Sequence, residues 1–177
     1  MRRIRYTVAA SLDGYIAGPQ GEVDWIVHNP EFGFNTLYAQ FDTVLMGRVT
    51  YDWMLAHGEQ WMPKMETYVF SRSLRQQDHP NVTISPDLVG TIKELRSKEG
   101  KDIWLFGGGI LFRALLQARL VDKVEVALMP AILGDGIPLL PPPYQSTKLR
   151  LTKQSADKSG IVSLEYEVAF DAEAGHV

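Results

Sequence analysis

The sequence predicts an α/β fold in which a central, mostly parallel sheet is flanked by helices and ends in an antiparallel hairpin. Short apolar runs of strand length alternate with segments whose apolar residues recur at helical spacing, as in a parallel sheet covered on both faces. Near the C-terminus, apolar residues from Val162 to Phe170 alternate with the polar residues at 163, 165 and 167, and Leu149 and Leu151 alternate with polar neighbours, which predicts a hairpin with a turn at 157–160. At 177 residues, the whole chain 1–177 fits one domain.

Hydrophobic runs mark the strands of the predicted sheet. They lie at 4–10, 43–46, 67–70, 81–84, 103–106 and 123–129. Glycine, proline, serine and aspartate follow most of these runs and predict turns there. After the first strand we expect a loop over 15–25.

Helical segments are expected between these strands. They lie at about 30–41, 51–57, 85–99 and 110–119. Pro30 suits the first turn of the first helix, whose apolar positions include Phe41. Ser85 is the expected N-cap of the third helix, with Pro86 at its first helical position.

Three consecutive glycines, Gly107, Gly108 and Gly109, join a strand to the fourth helix. The apolar face of this helix is expected to contain Ile110, Leu111, Ala114, Leu115 and Ala118. Glycines at a helix N-terminus let an anion such as phosphate approach unpaired backbone N–H groups. They also permit a crowded strand-to-helix connection without any ligand, so both interpretations stay open. The spacing differs from G-x-G-x-x-G, which disfavours a standard Rossmann site.

Two other strand ends carry residues that suit phosphate. Gly47, Arg48 and Thr50 follow one strand, and Ser71 and Arg72 follow the next. Because ligands of open parallel sheets bind beyond the carboxyl ends of the strands, these loops and the glycines predict a site for a ligand with several phosphates, such as a dinucleotide. The alternative is that both arginines are ordinary solvated side chains.

Composition and charge exclude several classes of function. The chain has 45% hydrophobic and 22% charged residues with a net charge of −3, so it gives no electrostatic reason to expect nucleic acid. No segment approaches the roughly 20 apolar residues of a membrane span. The lack of cysteine excludes disulfides and thiolate metal sites, and the four scattered histidines predict no metal centre. We expect a cytoplasmic protein.

The order of five motifs resembles the dihydrofolate reductase superfamily. They are S-L-D-G-Y-I-A at 11–17, V-L-M-G-R-V-T-Y at 44–51, V-F-S-R-S at 69–73, L-F-G-G-G at 105–109 and L-G-D-G at 133–136. Within the superfamily, the chain is most similar to the branch named for the C-terminal reductase domain of the bifunctional riboflavin-biosynthesis protein. The resemblance covers about 4–170.

This resemblance implies a reductase that binds NADPH across the strand ends and forms a homodimer. Gly47, Arg48 and Thr50 would hold phosphates, and Ser71 and Arg72 would flank the adenosine ribose with its 2′-phosphate. The pyrophosphate region would contact Gly107, Gly108, Gly109, Ile110 and Leu111. Ala9, Ala10 and Ile16 would lie near the nicotinamide.

The chain departs from the same families at the positions that would handle substrate. Folate reductases carry an acid after an active-site tryptophan, but Trp25 is followed by Ile26, and Glu31 is the nearest replacement in sequence. Riboflavin-pathway reductases carry lysine after S-L-D-G and glutamate before the glycines, where this chain has Tyr15 and Phe106. Neither named substrate is therefore supported.

Proton donors and substrate contacts are expected among four side chains, namely Asp13, Tyr15, Asp24 and Glu31. We assign Asp13 and Glu31 as catalytic candidates, although Asp13 also suits a turn. Tyr15 and Trp25 are expected to shape the substrate pocket through their large apolar bodies.

The main hypothesis is an NADPH-dependent reductase of a small heterocyclic or conjugated substrate. Water could supply the proton to such an enzyme. The alternative is a non-catalytic NADP-binding protein with a sensing or assembly role, since the acid, the lysine and the glutamate are missing.

Overall fold

In the computed structural model, which describes residues 1–27, 34–58 and 65–170, eight of the ten strands form a single sheet. The strands are β1 Ile4–Ala10, β2 Tyr15–Ala17, β3 Phe41–Gly47, β4 Glu66–Phe70, β5 Thr83–Ser85, β6 Asp102–Gly107, β7 Lys123–Leu128, β8 Ile137–Pro138, β9 Lys148–Ala156 and β10 Val162–Ala169. The helices are α1 Phe34–Tyr38, α2 Arg48–His57, α3 Leu88–Ser97 and α4 Gly109–Gln117.

The sheet has the order β5-β4-β3-β6-β1-β7-β10-β9, and its first six strands are parallel. β10 pairs antiparallel with β7 and with β9, which forms the edge. The predicted fold class is therefore confirmed. β2 and β8 form a small separate antiparallel ribbon. The prediction of a loop over 15–25 was therefore wrong for its first three residues, which form β2.

The two faces of the sheet pack against different helices. On one face, Ile4, Tyr6 and Leu105 contact buried residues of α3 and α4, and Tyr6 stacks on Phe112 with ring centroids 4.0 Å apart. On the other face, Val44 and other buried residues of β3 lie in a second core with α1 and α2. Among the described residues, this second face stays partly open beside α1, and a cavity lies at the opening.

Three further local predictions were wrong. Phe41 begins β3 instead of continuing the first helix, whose expected start at Pro30 lies outside the described residues. α3 is capped by Asp87, whose carboxylate accepts from Gly90 N at 2.9 Å. Ser85 cannot cap this helix because its backbone belongs to β5, where its carbonyl accepts from Ser71 N.

The third error concerns α4. Its buried face contains Leu111, Phe112, Leu115 and Leu116, whereas Ile110 is 65% exposed and Ala118 is also exposed. Ile110 lies in the first turn of α4, where it borders the cavity. Among the described residues, no helix has the length and apolar composition needed to cross a bilayer.

Candidate functional site

A cavity of about 1710 Å³ runs along the carboxyl ends of the parallel strands and continues over the open face of the sheet. It is the larger of the two concavities that stand out in the described part of the chain. Twelve of the thirteen residues expected to bind a cofactor line it: Ala9, Ile16, Gly47, Arg48, Thr50, Ser71, Arg72, Gly107, Gly108, Gly109, Ile110 and Leu111. Three loops that are distant in sequence therefore meet at one site.

Arg48 is positioned at one end of this cavity by two polar contacts. It is the first residue of α2, and its Nε donates to Asp52 Oδ2 at 3.1 Å, while its Nη1 donates to Ser73 Oγ at 2.7 Å. Ser71 Oγ accepts from the backbone N–H groups of Ser73 and Leu74, which folds this loop into a tight turn. A guanidinium and several hydroxyls are thus grouped where a phosphate could accept hydrogen bonds.

The three glycines have different surroundings. Gly107 has φ of +144°, a conformation that L side chains rarely adopt. A Cβ at Gly108 would lie 3.3 Å from Thr50 Oγ1, whereas a Cβ at Gly109 would lie 2.7 Å from Pro138 O. The backbone therefore comes close to neighbouring chain at Gly109, and the N-terminus of α4 faces the cavity with glycine on its approach.

Ala9 and Ala10 point in opposite directions. Ala9 lines the cavity, but Ala10 is 1% exposed, belongs to the core, and does not line it. The carbonyl of Ala10 accepts from Met129 N at 2.8 Å. Alternation along a strand explains the difference, because successive side chains lie on opposite faces.

Asp13 lies outside the lining of the cavity and connects two loops. Its carboxylate accepts from Ser11 Oγ at 2.6 Å, from Gly134 N at 2.7 Å and from Leu133 N at 3.1 Å. These hydrogen bonds, that of Ser11 first, lower the pKa of Asp13 to about 2. A carboxyl group with this pKa is ionised at neutral pH, so these contacts favour the turn-forming interpretation of Asp13 over proton donation.

The other substrate-side candidates within the described residues do not line the cavity. Tyr15 hydrogen-bonds to Ser11 through its backbone, and Trp25 Nε1 donates to Glu22 O at 3.0 Å. Asp24 is exposed, and Glu31 lies outside the described residues. The neighbours of Trp25 do border the cavity, through Val23, Ile26 and Val27. The described part of this wall is therefore aliphatic.

Sequence reasoning missed the floor of the cavity on the open face of the sheet. Arg5, Thr7 and Glu125 line this floor together with Trp104 and Phe106, whose rings meet edge to face at 5.1 Å. The available signal was the polar pair Arg5 and Thr7, two positions apart in the run 4–10, which the prediction of a buried strand did not take into account. Within the described ranges, no three His, Asp or Glu side chains form a group that could hold a metal ion.

The fold and this strand-end cavity define an α/β domain of the dihydrofolate reductase type with reductase-like architecture. The model of the RibD C-terminal domain family matches residues 2–163, and the chain belongs to this family. The expected superfamily and branch are thus confirmed.

Similar proteins cover nearly the whole chain. The uncharacterized protein YyaP of Bacillus subtilis (strain 168) is 32% identical over 183 residues, which cover 93% of this chain and 94% of YyaP. A crystal structure of a Shewanella sp. PV-4 protein named for riboflavin biosynthesis is 28% identical with a TM-score of 0.82, and the match covers 96% of this chain and 100% of that one. Dihydrofolate reductase from Enterococcus faecalis, complexed with NADP(H) and RAB-propyl, shares the fold at 19% identity with a TM-score of 0.66 and 94% coverage of each chain.

Proposed function

We propose that this protein is an NADPH-dependent reductase that transfers a hydride to a small heterocyclic or conjugated substrate. The observation that carries the proposal is the convergence of three strand-end loops on one cavity, with Arg48, Ser71 and Gly108 among its lining residues. Membership of the RibD C-terminal domain family supports a reductase. The Enterococcus faecalis enzyme of the same fold is described as bound to NADP(H), which supports the choice of cofactor.

The lining residues fit the successive parts of NADPH. Arg48 and Arg72 offer cations, and Ser71 a hydroxyl, to a ribose 2′-phosphate. The N-terminus of α4 offers backbone N–H groups to the pyrophosphate. The small Ala9 leaves room for a flat ring against β1. When bound, NADPH supplies the hydride, and the protein positions it and excludes water.

Arg48 and Arg72 give the sharpest test of the cofactor. We expect Arg48→Ala and Arg72→Ala each to weaken NADPH binding by roughly tenfold or more, because each removes a charge-assisted hydrogen bond to the 2′-phosphate worth about 1.5–3 kcal/mol. NADH lacks that phosphate, so its affinity should change little. Titration of nicotinamide fluorescence measures both constants.

A matched control is Arg150→Ala, which removes an exposed arginine that pairs with Glu167 outside the cavity lining. It should leave both affinities unchanged. Unchanged NADPH affinity in both cavity variants would contradict this assignment of the site.

A binding-only role is the second candidate. It is favoured by the two carboxylates that line the described part of the cavity, Glu125 and Glu165, because each is paired with a cation. Stopped-flow oxidation of bound NADPH against pterins, flavin precursors, quinones and aldehydes separates the two functions. Turnover with any of these compounds would eliminate the binding-only role, and a proton from water would be compatible with turnover.

We also propose a homodimer. Strand β9 is an edge strand that is exposed along its whole length, and it carries the exposed Leu149 and Leu151. Light scattering coupled to size-exclusion chromatography tests this proposal, and a monomer at micromolar concentration would refute it. A cytoplasmic location stays a prediction that cell fractionation can check.

A further inference from the structure

The guanidinium of Arg48 is held by two acceptors of the protein itself. Its Nε donates to Asp52 Oδ2 at 3.1 Å, one helical turn further along α2, and its Nη1 donates to Ser73 Oγ at 2.7 Å. Arg48 lines the cavity, whereas Asp52 and Ser73 do not. Two of the three guanidinium nitrogens therefore have protein acceptors that lie outside the cavity lining.

An arginine can bind both oxygens of a carboxylate or phosphate along the edge that carries Nε and Nη2. Arg5 shows this contact in the same protein, since its Nε and Nη2 donate to the two oxygens of Glu125, each at 2.9 Å. Such paired hydrogen bonds are stronger and more directional than a single one. At Arg48, the Nε half of this edge is occupied by Asp52. A phosphate that approaches Arg48 is therefore left with the Nη groups, unless it displaces Asp52.

The ion pair between Arg48 and Asp52 is open to solvent. The side chain of Arg48 is 52% exposed and that of Asp52 is 47% exposed. An exposed pair contributes little to stability, so its removal should leave the fold intact. The Asp52 carboxylate nevertheless places a negative charge beside the cation that a phosphate would use. The pair therefore matters more for the binding of an anion than for folding.

Arg72 borders the same cavity without such a restraint. Its side chain is exposed, and within the described residues no carboxylate forms an ion pair with it. A 2′-phosphate bound between Arg48 and Arg72 would thus meet one cation that is available and one that is shared with a carboxylate. The affinity for this phosphate then depends on how firmly Asp52 holds Arg48.

We propose that Asp52 lowers the preference of the protein for NADPH over NADH, because its carboxylate competes with the ribose 2′-phosphate for Arg48. NADH lacks that phosphate, so Asp52 has little effect on its binding. The inference rests on the proposed function, because it takes the 2′-phosphate to lie at Arg48. Asp52 is a positioning residue, since it acts on the cofactor through Arg48.

Two substitutions of Asp52 test the proposal. Asp52→Asn removes the charge and keeps an oxygen that accepts from Arg48 Nε, and Asp52→Ala frees Nε altogether. We expect each variant to bind NADPH about three- to tenfold more tightly, roughly the value of one additional hydrogen bond to the phosphate. The gain should be larger in Asp52→Ala. The dissociation constant of NADH, measured by the same fluorescence titration, should change less than about twofold.

Two smaller ligands test the same contact without the nicotinamide. Adenosine 2′,5′-bisphosphate and adenosine 5′-monophosphate differ only in the 2′-phosphate. Isothermal titration calorimetry should show a similar gain for the bisphosphate in both Asp52 variants and little change for the monophosphate. The gain should shrink as sodium chloride is raised from about 0.02 M to about 0.5 M, because salt screens exposed charges.

Two controls separate this effect from a general change in charge. Glu94→Gln breaks a similar pair on α3, in which Glu94 and Lys98 lie 2.9 Å apart outside the lining of this cavity. It should leave all four affinities unchanged. In the Arg48→Ala background, Asp52→Asn should change NADPH affinity less than about twofold, because the residue through which Asp52 acts has been removed. Thermal unfolding shows whether each variant is folded.

Unchanged or weaker NADPH binding in either Asp52 variant would overturn the inference, as would an equal gain for NADH or a gain that persists in the Arg48→Ala background. The proposed function fails separately. If the wild type did not bind NADPH but the Asp52 variants gained affinity for the bisphosphate, only the assignment of the cofactor would be refuted. Binding of none of the four compounds would refute both.

Discussion

The strand-end part of the cavity and its sheet-face part are built in different ways. At the strand ends, the site consists of loops and the first turns of helices. The backbone geometry of each segment, such as Gly107 to Gly109, is determined by the residues of that segment. On the sheet face, single side chains from β1, β6 and β7 are brought together by strand pairing, so that Thr7 contacts Glu125 across 118 positions of sequence. The shape of the strand-end region is therefore determined by the local backbone, whereas the arrangement of side chains on the sheet face is determined by the pairing register of the strands.

Of the substitutions that test this difference between the two regions, the largest loss of stability is expected on the sheet face. Glu125→Gln removes one partner of a buried ion pair, and the guanidinium of Arg5 would lose its main counter-charge. We expect a loss of about 3–5 kcal/mol of unfolding free energy. Urea denaturation followed by circular dichroism measures this loss.

The control for this change is Glu165→Gln on the neighbouring strand. Glu165 pairs with Lys153 at 3.2 Å, but both side chains reach solvent. Its loss should therefore be below about 1 kcal/mol. Equal losses in the two variants would show that the Arg5 pair has no special role in the floor of the cavity.

A smaller effect is expected at the strand ends from Gly109→Ala. The added Cβ would lie 2.7 Å from both Pro138 O and Pro141 Cδ, so the start of α4 or the proline segment must move. We expect a destabilisation of about 1–3 kcal/mol, together with weaker NADPH binding. Thermal unfolding and fluorescence titration measure the two consequences.

Gly47→Ala is the sterically mild comparison, because its Cβ would meet Leu111 only at an ordinary contact distance of 3.8 Å. Its melting temperature should stay near that of the wild type. If Gly109→Ala were equally stable, the proposed crowding at the start of α4 would be wrong.

The smallest change in stability is expected for Asp13. This residue belongs to neither region and connects the loop after β1 with the loop that contains Leu133 and Gly134. Its pKa is lowered from 3.8 to about 2, so its hydrogen bonds contribute stability above pH 4 that is lost as the pH falls toward 2. Asp13→Asn should therefore show a shallower decline in stability between pH 4 and pH 2 than the wild type. Denaturant midpoints across this range measure the slopes.

Asp24→Asn provides the control for Asp13, since it makes the same change at an exposed carboxylate. It should follow the decline of the wild type. Identical slopes in all three proteins would show that the contacts of Asp13 with Ser11, Leu133 and Gly134 do not contribute to stability.

The same contrast explains what the sequence could reveal. The fold class and the strand-end lining could be predicted because segments such as Arg48 with Thr50 carry their function within a few adjacent residues. The floor of the cavity could not be predicted, because the contact between Thr7 and Glu125 depends on how β1 and β7 are aligned. Ala10 was misplaced for a related reason, since its direction depends on which face of β1 meets the helices. The cap of α3 shifted to Asp87 because Ser85 was already engaged in β5.

The central position of β1 has a consequence for synthesis of the chain. β1 is made first, yet it pairs with β6 and β7, which follow about a hundred residues later. At typical elongation rates of about 5–20 residues per second, β1 waits roughly 5–25 seconds for its neighbours, with the apolar side chains of Ile4 and Tyr6 unburied. Nascent chains stalled before β7 should therefore need a chaperone, and those that extend beyond β10 should not.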